Sequence, residues 1–218
     1  MCFSAGASFG ASALLGGMAI VTIAKAKTTP QRLFATIPLF FSVQQLSEGI
    51  LWLSLKNPVI AEWQGFFIYT FLLFAMAIWP LLIPLTIRLL EKNEKQKKIM
   101  NVLTGIGIAV SIAVCFILFL TPVQVMPSPH HLHYQFDLMQ PVKNLLWLFT
   151  ILYILATIIT PFFSSIKKMK WLGVCFFASY LVSMIFYKGF VISVWCYFAA
   201  ILSIIVLWIV LDLRKMNL

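Results

Sequence analysis

"FFIYTFLLFAMAIWPLLIPLTIRLLEKNEKQKKIMNVLTGIGIAVSIAVCFILFL", residues 66–120, holds two apolar runs parted by one charged knot, residues 91–98. A helix needs about 20 mainly apolar residues to cross the hydrocarbon layer of a bilayer, and both runs are long enough. The knot carries four lysines and two glutamates, so it belongs in water or among lipid headgroups. The stretch reads as two consecutive membrane spans joined by a short polar turn, and this reading decides the fold.

Extending it in both directions predicts helices near 3–24, 34–55, 63–87, 99–121, 143–163, 171–187 and 190–211. Composition agrees. The 218 residues are 62% hydrophobic and 10% charged, with a mean hydropathy of +1.00, whereas soluble domains carry about 25% charged residues. So few polar groups cannot cover a soluble protein of this size. The expected fold is an all-α integral membrane protein, one seven-helix domain over 1–218. Its first cations, Lys25 and Lys27, follow the first apolar run, which is expected to be an uncleaved helix rather than a leader peptide.

The net charge of +10 would suggest nucleic acid in a soluble protein. Here thirteen of the sixteen cations fall in alternate connections, at 25–32, 88–98, 164–170 and 212–218, leaving Lys56, Lys143 and Lys188 for the other side. By the positive-inside rule the C-terminus is expected in the cytoplasm and the N-terminus outside. The basic loops then need no nucleic-acid partner; their partner is the lipid bilayer, including its anionic lipids. Cys2, Cys115, Cys175 and Cys196 form no CxxC or close pair, which excludes a disulfide framework or thiolate zinc site. Pro80 and Pro84 predict a kink in the third span.

Within the second span, "VQQLSEGILW" (43–52) is an exception to the apolar rule. At 3.6 residues per turn Gln44, Gln45, Glu48 and Trp52 share one face, opposite Leu46, Ile50 and Leu53. A carboxyl group inside a span costs about 2.5–3.5 kcal/mol on insertion scales and ordinarily marks an ion or substrate path. The bland alternative is a protonated Glu48 holding helices together. Ser4, Ser8, Ser12 and Gly16 recur every four residues in the first span; small residues at that spacing let helices approach closely, and Ser4 and Ser8 are expected level with Glu48. All three histidines, His130, His131 and His133, lie in the long outer connection near Asp137. They are candidate metal ligands, Asp137 or Glu48 completing the shell, against the plainer reading of a solvated polar loop. That connection is on Glu48's side and is a candidate lid. No span contains a histidine to hold a haem, and the last has no lysine for a retinal Schiff base.

The opening "MCFSAGASF" resembles a family of small bacterial multi-pass membrane proteins that begin with an MCFSATASF-type motif, with Gly6 here in place of threonine. The likeness continues through "QQLSEGILWL", "AIWPLLIPL" and "SVWCYFAAILS". It implies a bacterial cytoplasmic (inner) membrane location. It points to Cys2, Ser4, Ser8, Gln45, Glu48, Gly49, Trp52, Trp79, Pro80, Trp195 and Cys196 as motif positions, and implies no reaction or ligand.

Together these readings predict that the first, second and last spans meet around Glu48 in an outward-facing polar pocket. Its expected residues are Glu48, Gln44, Gln45, Trp52, Ser4, Ser8, Trp195 and Cys196, which would bind or transport a small molecule, a lipid or a cation. One alternative is a membrane-embedded hydrolase using Glu48 as acid or base, with or without a metal on the histidine loop. The other is an accessory or sensory subunit.

Overall fold

In the computed structural model, residues 4–128, 131–187, 190–195 and 198–215 are described. The chain runs α1 (Ala5–Lys25), α2 (Thr29–Ala35), α3 (Ile37–Ser54), α4 (Pro58–Ala61) and α5 (Gln64–Leu72). A π-helical segment, Leu73–Ile78, joins α5 to α6 (Trp79–Leu90), and α7 (Glu94–Leu120) follows. Strands β1 (Val123–Ser128) and β2 (His131–Phe136) pair antiparallel. Then come α8 (Gln140–Ile154), a π segment (Leu155–Ile159), a 3-10 turn (Thr160–Phe163), α9 (Met169–Phe186), α10 (Val191–Trp195) and α11 (Ala199–Lys215).

Among the described residues, five helical stretches are long and apolar enough to cross a membrane: Ala5–Lys25, Gln64–Leu90, Glu94–Leu120, Gln140–Phe163 and Met169–Phe186. They mark the chain as a helical membrane protein. The remaining two expected spans differ in kind. α3 has 18 residues, but its apolar run is diluted by Gln44, Gln45, Glu48 and three serines. The expected 190–211 helix is instead the short α10 and the 17-residue α11.

α1 and α3 lie antiparallel along a seam of small residues. Ser12 Oγ donates to the Ser42 carbonyl at 2.9 Å, and Ser42 Oγ returns a bond to the Ser12 carbonyl at 2.7 Å. A Cβ on Gly16 would stand 3.2 Å from Ser42 Oγ, and one on Gly49 would press on the Phe9 ring at 2.8 Å. Both glycines are therefore used for close approach.

The kink predicted at Pro80 and Pro84 is resolved as the π segment immediately before Trp79, while α6 continues through Pro84. Proline lacks the N–H that would close the preceding helical turn, and in lipid the freed carbonyls need donors from the protein. Tyr153 Oη supplies the Ala75 carbonyl at 2.8 Å, and Ser111 Oγ the Ala77 carbonyl at 2.6 Å. α7 comes so close here that a Cβ on Gly107 would lie 1.9 Å from the Pro80 carbonyl oxygen. The second interruption, before and around Pro161, uses its own donor: Thr160 Oγ1 bonds the Leu155 and Ala156 carbonyls at 3.1 and 2.7 Å.

The connection 122–138, expected as a loop, contains the β-hairpin, which closes the end of the bundle away from the basic loops. Leu132 and Tyr134 alternate inward, joining Leu51, Ile68, Phe71 and Leu72 in a packed cluster, and Tyr134 stacks on Phe71 with centroids 5.0 Å apart. At the opposite end Glu91 is buried. It accepts bonds from the Ser164 hydroxyl at 3.1 Å, from the Ser165 backbone at 2.8 Å and hydroxyl, and from the Asn93 backbone at 3.1 Å. Burial raises its pKa, but these four donors outweigh burial and hold it below the usual carboxylate value. The carboxylate thus ties the turn after α6 to the turn before α9. Nearby, Lys168 pairs with Asp212 at 2.6 Å and lies 4.3 Å from the centre of the Trp208 ring.

Gly105 and Gly107 give a matched test, because a Cβ on Gly105 meets nothing within 4 Å. Gly107→Ala should destabilise the protein by about 2 kcal/mol or more through overpacking, while Gly105→Ala should be neutral or stabilising. Thermal melts in detergent compare them; equal melting temperatures would refute the close contact of α7 with the kink.

Candidate functional site

The stripe on α3 points inward. Gln44, Gln45 and Glu48 are 0–1% exposed, whereas Leu46 and Leu53 lie at the surface. Gln45 Nε2 donates to Glu48 Oε2 at 3.4 Å, and Trp79 Nε1 to Gln44 Oε1 at 3.1 Å. The second bond fixes α3 against the first turn of α6, where the Phe41 ring also packs on Trp79 with centroids 4.1 Å apart. Two buried atoms on this stripe, Gln45 Oε1 and Trp52 Nε1, have no hydrogen-bond partner among the described residues.

The other expected site residues are distributed differently. Ser4 is exposed and caps α1, its hydroxyl accepting from the Ala7 N–H at 3.2 Å. Ser8 is fully buried on the face of α1 that meets α3. Trp195 Nε1 donates to Ser179 Oγ at 2.8 Å, docking α10 on α9. Cys2, Cys196 and His130 lie outside the described residues. His131 and His133 share one face of β2, the first packing on Tyr187 and Phe190 and the second on Phe190. Asp137 donates its backbone N–H to the Pro122 carbonyl at 3.3 Å at the base of the hairpin. Among the described residues no three His, Cys, Asp or Glu side chains converge as a metal site would require.

A cavity of about 260 Å³ lies between the helices of the bundle. Its walls come from α3 (Phe41, Gln44), the first π segment and α6 (Ala75, Met76, Trp79), α7 (Val110, Val114), and α8 with the second π segment (Tyr153, Thr157). α9, α10 and α11 complete it through Tyr180, Trp195 and Leu202. Of the expected pocket residues, Gln44 and Trp195 line it; Glu48, Gln45, Trp52, Ser4 and Ser8 do not. The space therefore differs from the polar pocket expected between the first, second and last spans. It is mostly apolar and aromatic, α1 contributes no wall, and both backbone interruptions border it. The reason is the tight α1–α3 seam, which leaves no room beside Glu48 on that side.

Its polar groups are few. Gln44, Trp79, Tyr153 and Trp195 are engaged in the bonds given above, and Thr150 Oγ1 bonds the Leu146 carbonyl at 2.8 Å. Thr157 is fully buried and its hydroxyl has no partner among the described residues, and the Tyr180 hydroxyl also belongs to the wall. Sequence reading missed Thr157, Tyr153 and Tyr180. Their signal was weak, since a lone threonine or tyrosine in an apolar run is common; only the proximity of Pro161 hinted at an irregular turn there.

Over residues 1–217 the chain matches a family of unknown function, DUF6629. The chain belongs to this family. Comparisons with curated proteins and with solved structures gave no match. Family membership assigns no chemistry to the cavity.

The Gln44–Trp79 bond is testable by a double-mutant cycle. Trp79→Phe and Gln44→Leu should each cost about 1–3 kcal/mol by leaving a buried partner unsatisfied. The double variant should cost less than the sum of the two. Strict additivity in chemical or thermal unfolding would contradict a direct bond.

Proposed function

We propose that this DUF6629 protein binds a small molecule inside its membrane bundle, in the cavity bordered by the two π segments. The lining carries the reading: apolar and aromatic side chains from helices throughout the chain, among them Trp79, Tyr153, Tyr180 and Trp195, surround a space of about 260 Å³. A bundle selected for packing alone would fill that space with side chains. Placement between interrupted helices supports the reading further, because π segments occur frequently at functional sites.

The wider arrangement we propose has seven crossings, α3 and the α10–α11 pair completing the five long spans. Its N-terminus is outside and its C-terminus in the cytoplasm of a bacterial inner membrane. The alternation of thirteen cations against three supports this orientation. The buried Glu48 lies one turn from the wall residue Gln44 on the same helix, its carboxyl bonded to Gln45. This favours binding coupled to a proton or cation over hydrolysis. A hydrolase would need room for a reacting group beside Glu48, and Phe9 fills the space over Gly49.

Screening purified protein with a small-molecule library by thermal shift tests the proposal. A ligand should stabilise the wild type by RT ln(1 + [L]/Kd), about 2.7 kcal/mol at a hundredfold excess over Kd. The shift should vanish in Val114→Phe, which fills the cavity from the regular part of α7. Ligand shifts that persist undiminished in folded Val114→Phe and Leu202→Phe would place binding elsewhere.

A further inference from the structure

The flank formed by α8 narrows the class of ligand. None of its fifteen residues is buried, and Leu145, Leu146, Trp147, Leu148 and Ile151 are exposed apolar side chains. In a bilayer these side chains meet acyl chains. Yet Leu146, Phe149 and Thr150 of the same helix also line the cavity. On this side, therefore, a thinly packed helix parts the cavity from lipid. At its C-terminal end α8 passes directly into the π segment Leu155–Ile159, where the regular hydrogen-bond ladder is already interrupted and a small change of direction is least costly.

The chemistry of the walls agrees with access from lipid. No lining residue carries a formal charge at neutral pH. A charged ligand would lose its hydration without an opposite charge to replace it. A neutral one would meet the rings of Trp79, Tyr153, Tyr180 and Trp195. The volume lies just under the range of pockets for drug-sized molecules, so the body must be compact.

We infer that the cavity takes a neutral, compact, lipophilic molecule, which enters sideways from the bilayer past α8. This inference rests on the cavity being a binding site, and adds the ligand class and the route.

Photolabelling in lipid nanodiscs tests it with two probes: a diazirine-bearing medium-chain alcohol, and a water-soluble diazirine carboxylate of similar size. The alcohol should label Tyr153, Thr157, Tyr180 or Trp195, identified by peptide mass spectrometry, and the carboxylate should not. Val114→Phe and Leu202→Phe, each checked for a wild-type-like melting transition, should lose the cavity label but retain labelling of Trp147 on the lipid face. Thr150→Trp, which narrows the α8 flank, should slow cavity labelling severalfold. Equal cavity labelling by both probes would overturn the lipophilic class and leave the binding site standing. Unchanged kinetics in Thr150→Trp would overturn the route. Labelling confined to surface residues with both probes would overturn the inference and the binding site together.

Discussion

A backbone carbonyl released inside a membrane must find a donor within the protein, and this constraint organises the bundle. Water satisfies such groups in a soluble protein; hydrocarbon cannot. Two spans are interrupted here, and carbonyls at both interruptions recruit particular side chains. Tyr153 crosses from α8 to the Ala75 carbonyl, and Ser111 crosses from α7 to that of Ala77. Thr160 serves the Leu155 and Ala156 carbonyls locally. Remove these donors and the irregular segments would have to revert to continuous helix, which Pro80 and Pro161 oppose. The Gly107 contact and the Gln44–Trp79 bond then hold α7 and α3 against the same kink. The cavity lies beside this geometry: both π segments border it, and Tyr153, which bonds the Ala75 carbonyl, lines it.

The two ends of the molecule use different chemistry. At the basic end, Glu91 gathers four donors from two turns and the backbone beside it, while Lys168 bridges to Asp212. Polar groups can assemble there because headgroups and water are near. At the other end the hairpin closes the bundle mainly by packing, with Leu132 and Tyr134 turned inward and the histidines set against aromatic rings. Phe190, which packs on both described histidines, immediately precedes α10, and α10 forms one wall of the cavity. Movement of the hairpin would therefore be felt at the cavity.

Much of the architecture was legible in residues 66–120, because hydropathy, proline position and a lysine-rich turn are local signals. The inward face of α3 was legible for the same reason: spacing alone put Gln44, Gln45 and Glu48 together. The hairpin was readable but obscured. "HLHYQF" alternates in period two, as a half-buried strand does, yet its polar histidines and the prolines beside it suggest a loop. Glu91 was hidden by its neighbours, since a glutamate at the head of "EKNEKQKK" looks solvated until Ser164 and Ser165 are brought to it from 73 and 74 residues away. The cavity was not legible at all. Its walls come from helices throughout the chain, and Thr157 acquires meaning only once Gln44, Trp79 and Trp195 surround the same space.

An experimental density map of the protein in lipid nanodiscs would test the central claim most directly. The account predicts compact non-protein density between the two π segments, bordered by Trp79, Tyr180 and Trp195. A cavity collapsed by inward rotation of Tyr153 or Trp195, with no density between the π segments, would contradict it.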